Sequence, residues 1–244
     1  MTASKDGTVR VWSAHGGKEL FQLAGHFGST TGAKWTRRGA FIITTSEDGT
    51  VRLWQPTTDP GAVRTFRGEP TVSASWTSEG DKVVTASSQG GASLWDISQG
   101  KSVRSVSSRA KRVNSAAWSK DRDRVLFIAD GNTAIWRSTN GIDFTQLQEP
   151  CSGEPEPIVL CHVLSASWNP EGTRIVSASG HAARVWDADT AKELFRLTGH
   201  RSLVKTAAWD RDGRRIVTSS TDKTARIWDA TTGQELIRLD GHDK

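Results

Sequence analysis

The chain has only two cysteines in 244 residues, and no window of eighteen consecutive apolar residues occurs in it. Two cysteines build no disulfide framework, so a reducing, cytoplasmic setting is the default expectation. Without a long apolar run, no segment is suited to cross a membrane as a helix. The first residues lack the charged, apolar and small-residue succession of a secretory signal. Catalytic signatures are missing too: there is no glycine-rich phosphate loop, no nucleophile elbow and no His-Glu-x-x-His pair. Acidic residues are the minority, with 27 Asp and Glu against 32 Lys and Arg, a formal net charge of +5. Such a balance raises nucleic acid as a partner. The basic residues are scattered, however. Arg10, Arg52, Arg184 and Arg226 each stand two positions before a tryptophan, and Arg37, Arg38, Arg211, Arg214 and Arg215 fall in connecting turns. No aromatic-on-basic motif of the kind that stacks bases is present. Nucleic acid is therefore disfavoured, and solvated surface with stem packing is the plainer reading.

Tryptophan, by contrast, is abundant, and all eleven fall on two ladders. One is Trp12, Trp54, Trp95, Trp136, Trp186 and Trp228, with steps of 42, 41, 41, 50 and 42. The other is Trp35, Trp76, Trp118, Trp168 and Trp209, with steps of 41, 42, 50 and 41. A fixed period in the forties marks a repeated structural unit. The last full unit shows its make-up. Leu203–Trp209 is a short apolar stretch, Asp210–Gly213 a turn, Arg215–Ser219 a β-branched strand, Asp222-Lys223 a second turn, Thr224–Trp228 a third strand, and Glu235–Leu239 a fourth. The six-residue segments KELFQL, KELFRL and QELIRL are too short for stable isolated helices and are expected as outer strands. Consecutive residues of a strand point to opposite faces. Val11-Trp12, Leu53-Trp54, Leu94-Trp95, Ile135-Trp136, Val185-Trp186 and Ile227-Trp228 thus make both faces of the third strand apolar. Such a sheet needs cover on each side, which predicts sheets stacked around an axis. A buried indole removes roughly 200 Å² from water, worth about 5 kcal/mol at most at about 25 cal/mol per Å².

On these residues the chain resembles the WD40-repeat β-propeller family. The Gly-His pairs Gly25-His26, Gly199-His200 and Gly241-His242 fit it, as do Trp95-Asp96, Trp186-Asp187 and Trp228-Asp229. The GKEL style of the outer strands resembles bacterial arrays, which implies a propeller that follows a kinase, NTPase or protease-like domain on a longer chain. The resemblance implies an all-β fold of four-stranded antiparallel blades, about five full blades and a half blade. The expected blades are 25–66, 67–107, 108–148, 149–198 and 199–240. A half blade occupies 1–24 and the start of a missing blade or strand 241–244. The chain starts at the end of a second strand and stops before a new first strand, so it reads as a fragment of a longer propeller region, one that need not be closed. Association through open blade edges is expected from unpaired strands.

The family also implies a structural hydrogen-bonded set in each blade: a His before the first strand, a Ser or Thr on the second, an Asp in the next turn and the Trp of the third. His26, Thr44, Asp48 and Trp54 match it, and so do His200, Thr218, Asp222 and Trp228, both with intervals of 18, 4 and 6. A buried indole N–H and a buried carboxylate each need a partner, and an imidazole can bridge such groups. His and Asp also build catalytic triads, but a set repeated in register with the fold is structural. Other copies are eroded. Thr2, Asp6 and Trp12 lack the His; Thr85 and Trp95 have Gln89 in place of Asp; Asp130 and Trp136 have Leu126 and Arg109; Trp186 has Ser177 with a shorter turn and His181 nearby.

Two features break the period. Arg104, Arg109, Lys111 and Arg112 form a basic cluster with no acid in 97–120. By analogy with the family they lie on the top face, where they could take an acidic or phosphorylated peptide. The 50-residue step inserts eight or nine residues in the stretch QEPCSGEPEPIVLCH, with Glu149, Glu154 and Glu156 among prolines. A stiffened loop extension on a rigid scaffold is a place for specificity. Cys151, Cys161 and His162 match no structural zinc spacing, so no metal and no cofactor is expected. The function expected is a non-enzymatic scaffold that binds other proteins or peptides on its top face and rim. The alternatives are a regulatory or sensor propeller of a larger signalling enzyme, and then a nucleic-acid-binding or enzymatic propeller.

Overall fold

A computed structural model of the chain describes residues 1–36, 39–57, 61–76, 81–107, 113–119, 124–129, 132–137, 143–147 and 162–241. Among them every regular element is a strand, and no helix is long and apolar enough to cross a membrane. The chain divides into two compact units, Met1–Ala117 and Trp118–Lys244. In the first unit, one sheet contains β1 (Thr2–Ala3), β2 (Val9–Trp12) and β3 (Glu19–Leu23). The next contains β4 (Thr30–Trp35), β5 (Ile42–Ser46), β6 (Thr50–Trp54) and β7 (Ala62–Arg67). A third contains β8 (Thr71–Trp76), β9 (Lys82–Ser87), β10 (Gly91–Asp96) and β11 (Lys101–Ser107). The division between units falls at the end of β12 (Val113–Trp118), which shares a sheet with β13 (Arg124–Ala129), β14 (Asn132–Arg137) and β15 (Asp143–Leu147). The second unit also holds the sheet of β16 (Val163–Trp168), β17 (Arg174–Ser179), β18 (Ala182–Asp187) and β19 (Glu193–Thr198). Its last sheet is β20 (Val204–Trp209), β21 (Arg215–Ser220), β22 (Thr224–Asp229) and β23 (Glu235–Asp240). Strands adjacent in sequence pair antiparallel within each sheet. This is the all-β, four-stranded architecture that the tryptophan period predicts, and Arg215 opens a strand rather than lying in a turn.

The segments with the Glu-Leu pattern are strands because the third strand offers them a full ladder of partners. Their side chains alternate: Leu20 and Leu194 are exposed while Leu23 and Leu197 are buried. The ladder carries a regular irregularity. Val11 faces Phe21 but Trp12 faces Glu19; Leu53 faces Arg64 but Trp54 faces Ala62; Leu94 faces Arg104 but Trp95 faces Ser102. The same shift occurs at Val185/Trp186 and Ile227/Trp228. Each shift leaves one extra residue on the fourth strand: Leu20, Val63, Val103, Leu194 and Leu236 in turn. The bulged residue is exposed wherever its side chain is described. A bulge bends the strand and adds twist. It recurs in every sheet but one: between β14 and β15, Trp136 faces Phe144 with no such shift.

The sheets stack in chain order inside each unit. Trp54 packs on Val9, Val11 and Leu23 of the preceding sheet, whereas Leu53 joins a cluster with Ala74, Val83 and Trp95 of the following one. Consecutive residues of β6 therefore enter two different cores. In the second unit Trp228 and Ile216 lie against Val176, Ala178, Val185 and Leu197. Among the described residues, two positions depart from the expectation that both faces of every third strand are covered. Trp12 is 36% exposed, and Ile227 is only partly buried. They belong to the first sheet and the last, each of which lacks a neighbouring sheet of its own unit on that side. The second tryptophan ladder is also shallower than the first: Trp35 is 40% exposed, against 1% for Trp54. It ends the first strand of each four-stranded sheet.

Within β19 the contrast between faces gives a direct expectation. Leu197→Ala removes a side chain buried between two sheets and should cost about 2–5 kcal/mol in chemical denaturation. Leu194→Ala, at the exposed bulge, should change stability by less than about 0.5 kcal/mol. Equal effects would contradict the assignment of faces.

Candidate functional site

The loop that leads from β3 into β4 places His26 under the end of its sheet. There the structure brings His26, Thr44, Asp48 and Trp54 together. Trp54 Nε1–H donates to Thr44 Oγ1 at 2.8 Å, and Thr44 Oγ1 lies 2.6 Å from His26 Nε2. On the other side of the ring, Nδ1 is 3.2 Å from Asp48 Oδ2 and 2.9 Å from Thr50 Oγ1. Asp48 Oδ2 also accepts the backbone N–H of Phe27 at 2.9 Å, while Oδ1 accepts the Thr50 hydroxyl at 2.6 Å and its N–H at 2.8 Å. One proton arrangement satisfies all of these. The imidazole is neutral with its proton on Nδ1, and Thr44 accepts from the indole and donates to Nε2.

The second set repeats the geometry. Trp228 Nε1–H donates to Thr218 Oγ1 at 2.9 Å, Thr218 Oγ1 lies 2.8 Å from His200 Nε2, and Nδ1 lies 2.9 Å from Asp222 Oδ2. Arg201 N–H and the Thr224 hydroxyl complete the shell of Asp222. The eroded copies lack the imidazole link but keep the indole end. Trp12 donates to Thr2 at 3.0 Å, Trp95 to Thr85 at 2.9 Å and Trp186 to Ser177 at 2.9 Å. His181 is exposed in the β17–β18 turn. Asp130 and Arg109 of the remaining copy lie outside the described residues.

Burial is the largest influence on His26, Asp48 and Asp222. It holds the His26 imidazole below its usual range, against the opposing pull of Asp48. It would raise Asp48, but the Thr50 hydroxyl and N–H, the Phe27 N–H and His26 together outweigh it, and the carboxyl falls to about 2. Asp222 is likewise held below the ordinary carboxylate range, by Arg201 N–H, Thr224 and His200 against burial. A neutral imidazole locked between a hydroxyl and an ionised carboxylate has no face turned to a substrate.

The Asp-x-Thr spacing was a readable signal for the added threonines, since Asp6-Gly7-Thr8, Asp48-Gly49-Thr50 and Asp222-Lys223-Thr224 share it, and Thr8 also donates to Asp6. The glycine before each complete His has a physical reason as well. Gly25 has φ +152° and a β-carbon there would stand 2.5 Å from Arg52 Nη1. The arginines two positions before the tryptophans are not free surface charge. Arg10 and Arg184 pair with Glu19 and Glu193 of the neighbouring strand at 3.2 and 3.5 Å, and Arg226 pairs with Glu235, all nine residues apart. In the second unit, Arg124 Nη1 donates to Ala188 O at 2.8 Å and Arg174 Nη1 to Ala230 O at 3.1 Å, tying each sheet to a turn of the next.

Of the interaction candidates, Arg104 lies on β11 with its backbone opposite Leu94. Arg109, Lys111, Arg112, Glu149, Glu154 and Glu156 lie outside the described residues, as do Cys151 and Cys161. Among the described residues no group of three His, Cys, Asp or Glu side chains could hold a metal ion. One residue that sequence reasoning passed over is Phe27. It follows His26 directly, its N–H is held by Asp48, and its side chain is 94% exposed.

The sign of the pH dependence follows from the two shifts. The unfolded imidazole takes up a proton below about 6.5 while buried His26 resists it, so stability starts to fall there as pH drops. The Asp48 contribution is full above 3.8 and is lost as pH falls toward about 2. Asp48→Asn should destabilise by about 1–3 kcal/mol at pH 7. Urea midpoints should show that difference shrinking as pH approaches 2; an undiminished difference would mean that the charge plays no part. Thr44→Val, which strips both the indole and the imidazole of a partner, should cost about 2–4 kcal/mol at neutral pH in the same assay.

The family described as WD domain, G-beta repeat (WD40) matches residues 17–55, 153–187 and 191–229. The chain is similar to a chromatin assembly factor 1 subunit FAS2 homolog of Oryza sativa subsp. japonica, 32% identical over 127 residues, which cover 49% of this chain and 24% of that protein. It is also similar to coronin-7 of Rattus norvegicus, 40% identical over 96 residues, 39% of this chain and 10% of that protein. With the U5 small nuclear ribonucleoprotein 40 kDa protein of Homo sapiens it shares 35% identity over 65 residues, 25% of this chain and 18% of that protein. The chain thus spans about a quarter or less of the length of these relatives, and none of the three is bacterial. The three matched segments each close on a tryptophan of the first ladder, at Trp54, Trp186 and Trp228, and at these positions the chain carries WD40 repeats.

Proposed function

We propose that this chain is a non-catalytic platform that holds other proteins, and that its docking surface is the loop end at which His26 sits. The observation that carries the reading is the pairing of a closed network with an open ring. The groups that could do acid–base chemistry, His26 and Asp48, are spent on one another and on Thr44 and Thr50. Directly beside them Phe27 stands exposed on a backbone fixed by Asp48. A rigidly presented aromatic ring loses little freedom when a partner covers it, and aromatic side chains dominate binding hot spots. Arg201 takes the same place after His200, so the repeats vary chemically where the surface is open and agree where it is closed. The names of the relatives, a subunit of an assembly factor and a protein of a ribonucleoprotein particle, agree with a role in holding assemblies.

On this reading Arg104, Arg109, Lys111 and Arg112 are further candidates for binding acidic or phosphorylated peptides by charge-assisted hydrogen bonds. The loop with Glu149, Glu154 and Glu156 contributes to choice of partner. The test is site-specific photocrosslinking in the source cell. A crosslinker at position 27 should capture a discrete protein, and one at His15, in the turn at the opposite end of the same sheet, should not. Phe27→Ala should then weaken the captured partner's affinity about tenfold, a typical loss for a truncated anchor. Capture from His15 but not from 27 would place the docking surface at the other end.

A further inference from the structure

Arg10, Arg184 and Arg226 pair with Glu19, Glu193 and Glu235. The ladder puts those glutamates directly opposite Trp12, Trp186 and Trp228. Opposite Trp95 stands Ser102 and opposite Trp136 stands Phe144, and in those two sheets the arginine is replaced as well, by Ser93 and Ala134. Arginine and glutamate are thus kept together or lost together, with one exception. Arg52 remains, but the residue opposite Trp54 is Ala62. The guanidinium keeps its usual place all the same. A β-carbon at Gly25 would stand 2.5 Å from Arg52 Nη1, and Arg226 Nη1 lies against Gly199 in the same way. At Gly199 the next group is the carboxylate of Glu235, with Oε2 3.4 Å from that β-carbon position; at Gly25 it is the Trp54 ring, at 3.3 Å. Arg52 is partly buried and makes one hydrogen bond, from Nε–H to Thr50 Oγ1 at a long 3.5 Å. Among the described residues no carboxylate pairs with it, and its two η nitrogens have no acceptor.

We propose that the place filled by glutamate in the other sheets is filled beside Arg52 by an Asp or Glu side chain of the protein that docks over Phe27. The inference rests on the docking surface proposed above and adds the chemistry of its occupant. A guanidinium presents a planar fork of donors that matches a carboxylate, and the sheets of Glu19, Glu193 and Glu235 show that a carboxylate fits this position. A lone ion pair at a partly buried site is too weak to hold a free carboxylate, so the acid must be tethered by a second contact. That contact is close at hand. Gly25, against which Arg52 Nη1 lies, is two residues before Phe27, a span of at most about 7 Å along the backbone. One short acidic segment can therefore cover the exposed ring and reach the guanidinium together. A segment that offered only apolar side chains would cover Arg52 and leave its charge unpaired, so the site also selects against the wrong partner.

A random peptide library displayed on phage and panned against the whole chain supplies the probe. Peptides whose binding falls with Phe27→Ala report the docking surface, and these should carry an Asp or Glu. Arg52→Gln should weaken them about tenfold. Ala62→Glu should weaken them as much with Arg52 still in place, because the chain then supplies the carboxylate itself. Changing the peptide's acid to its amide should lower affinity for the parent chain and leave affinity for Arg52→Gln unchanged. If Ala62→Glu fails to fold, as judged by circular dichroism, the Arg52→Gln and amide measurements decide. Peptides that need Phe27 but bind both variants as well as the parent chain would overturn this inference and leave docking at Phe27 standing. Acidic peptides lost with Arg52→Gln but kept with Phe27→Ala would retain the carboxylate site and overturn the docking surface. Selection of no acidic peptide would overturn the inference outright.

Discussion

A strand that carries an aliphatic side chain and an indole on consecutive residues needs apolar cover on both sides of its sheet. Leu53 and Trp54 show how the chain meets that need: one side chain enters the core shared with the following sheet, the other the core shared with the preceding one. No sheet of about forty residues can do this alone, so stability is a property of neighbours. The bulge opposite each of these tryptophans belongs to the same solution. It adds an outward residue to the outer strand and bends it in every sheet but that of Trp136.

Burying an indole in this way also buries its N–H, and the polar sets follow from that. Thr44 and Thr218 take the proton from the ring, the imidazoles of His26 and His200 take the hydroxyl, and Asp48 and Asp222 orient the imidazoles and hold a loop backbone. Where His and Asp have been lost, as around Trp95, the indole-to-hydroxyl bond survives. The minimal requirement is thus satisfaction of the buried donor. The His and Asp add a link from the core to the loop. Through that link a structural network fixes the position of Phe27, and so connects packing to a surface on which another protein can act.

Much of this was legible in the residues. The ladder of Trp54, Trp95, Trp186 and Trp228 carries the period, and the equal intervals of His26–Trp54 and His200–Trp228 carry the polar sets, because both are enforced by local register. The nine-residue interval of Arg10–Glu19, Arg184–Glu193 and Arg226–Glu235 was equally visible, yet scattered basic residues were read as solvated surface or general stem packing. The structure instead pairs them with acids across adjacent strands. Other features left no pattern to read. Arg124 and Arg174 donate to backbone carbonyls, which every residue possesses. The bulges at Leu20 and Leu194 look like ordinary alternation in sequence. The exposure of Phe27 and of Leu239 depends on what lies beside them, and Leu239 is chemically the same residue as the fully buried Leu197.

Exchange of the indole protons separates the two forces that hold the ladder. Trp12 and Trp54 both donate Nε1–H to a threonine, at 3.0 and 2.8 Å, but Trp54 is covered by a neighbouring sheet and Trp12 is not. Hydrogen exchange at the indole nitrogens, followed by NMR on protein labelled at tryptophan, compares them in one sample. If cover by adjacent sheets governs the fold, Trp54, Trp95, Trp186 and Trp228 should exchange orders of magnitude more slowly than Trp12. Protection of Trp12 equal to that of Trp54 would contradict the account, because the hydrogen bond alone would then suffice.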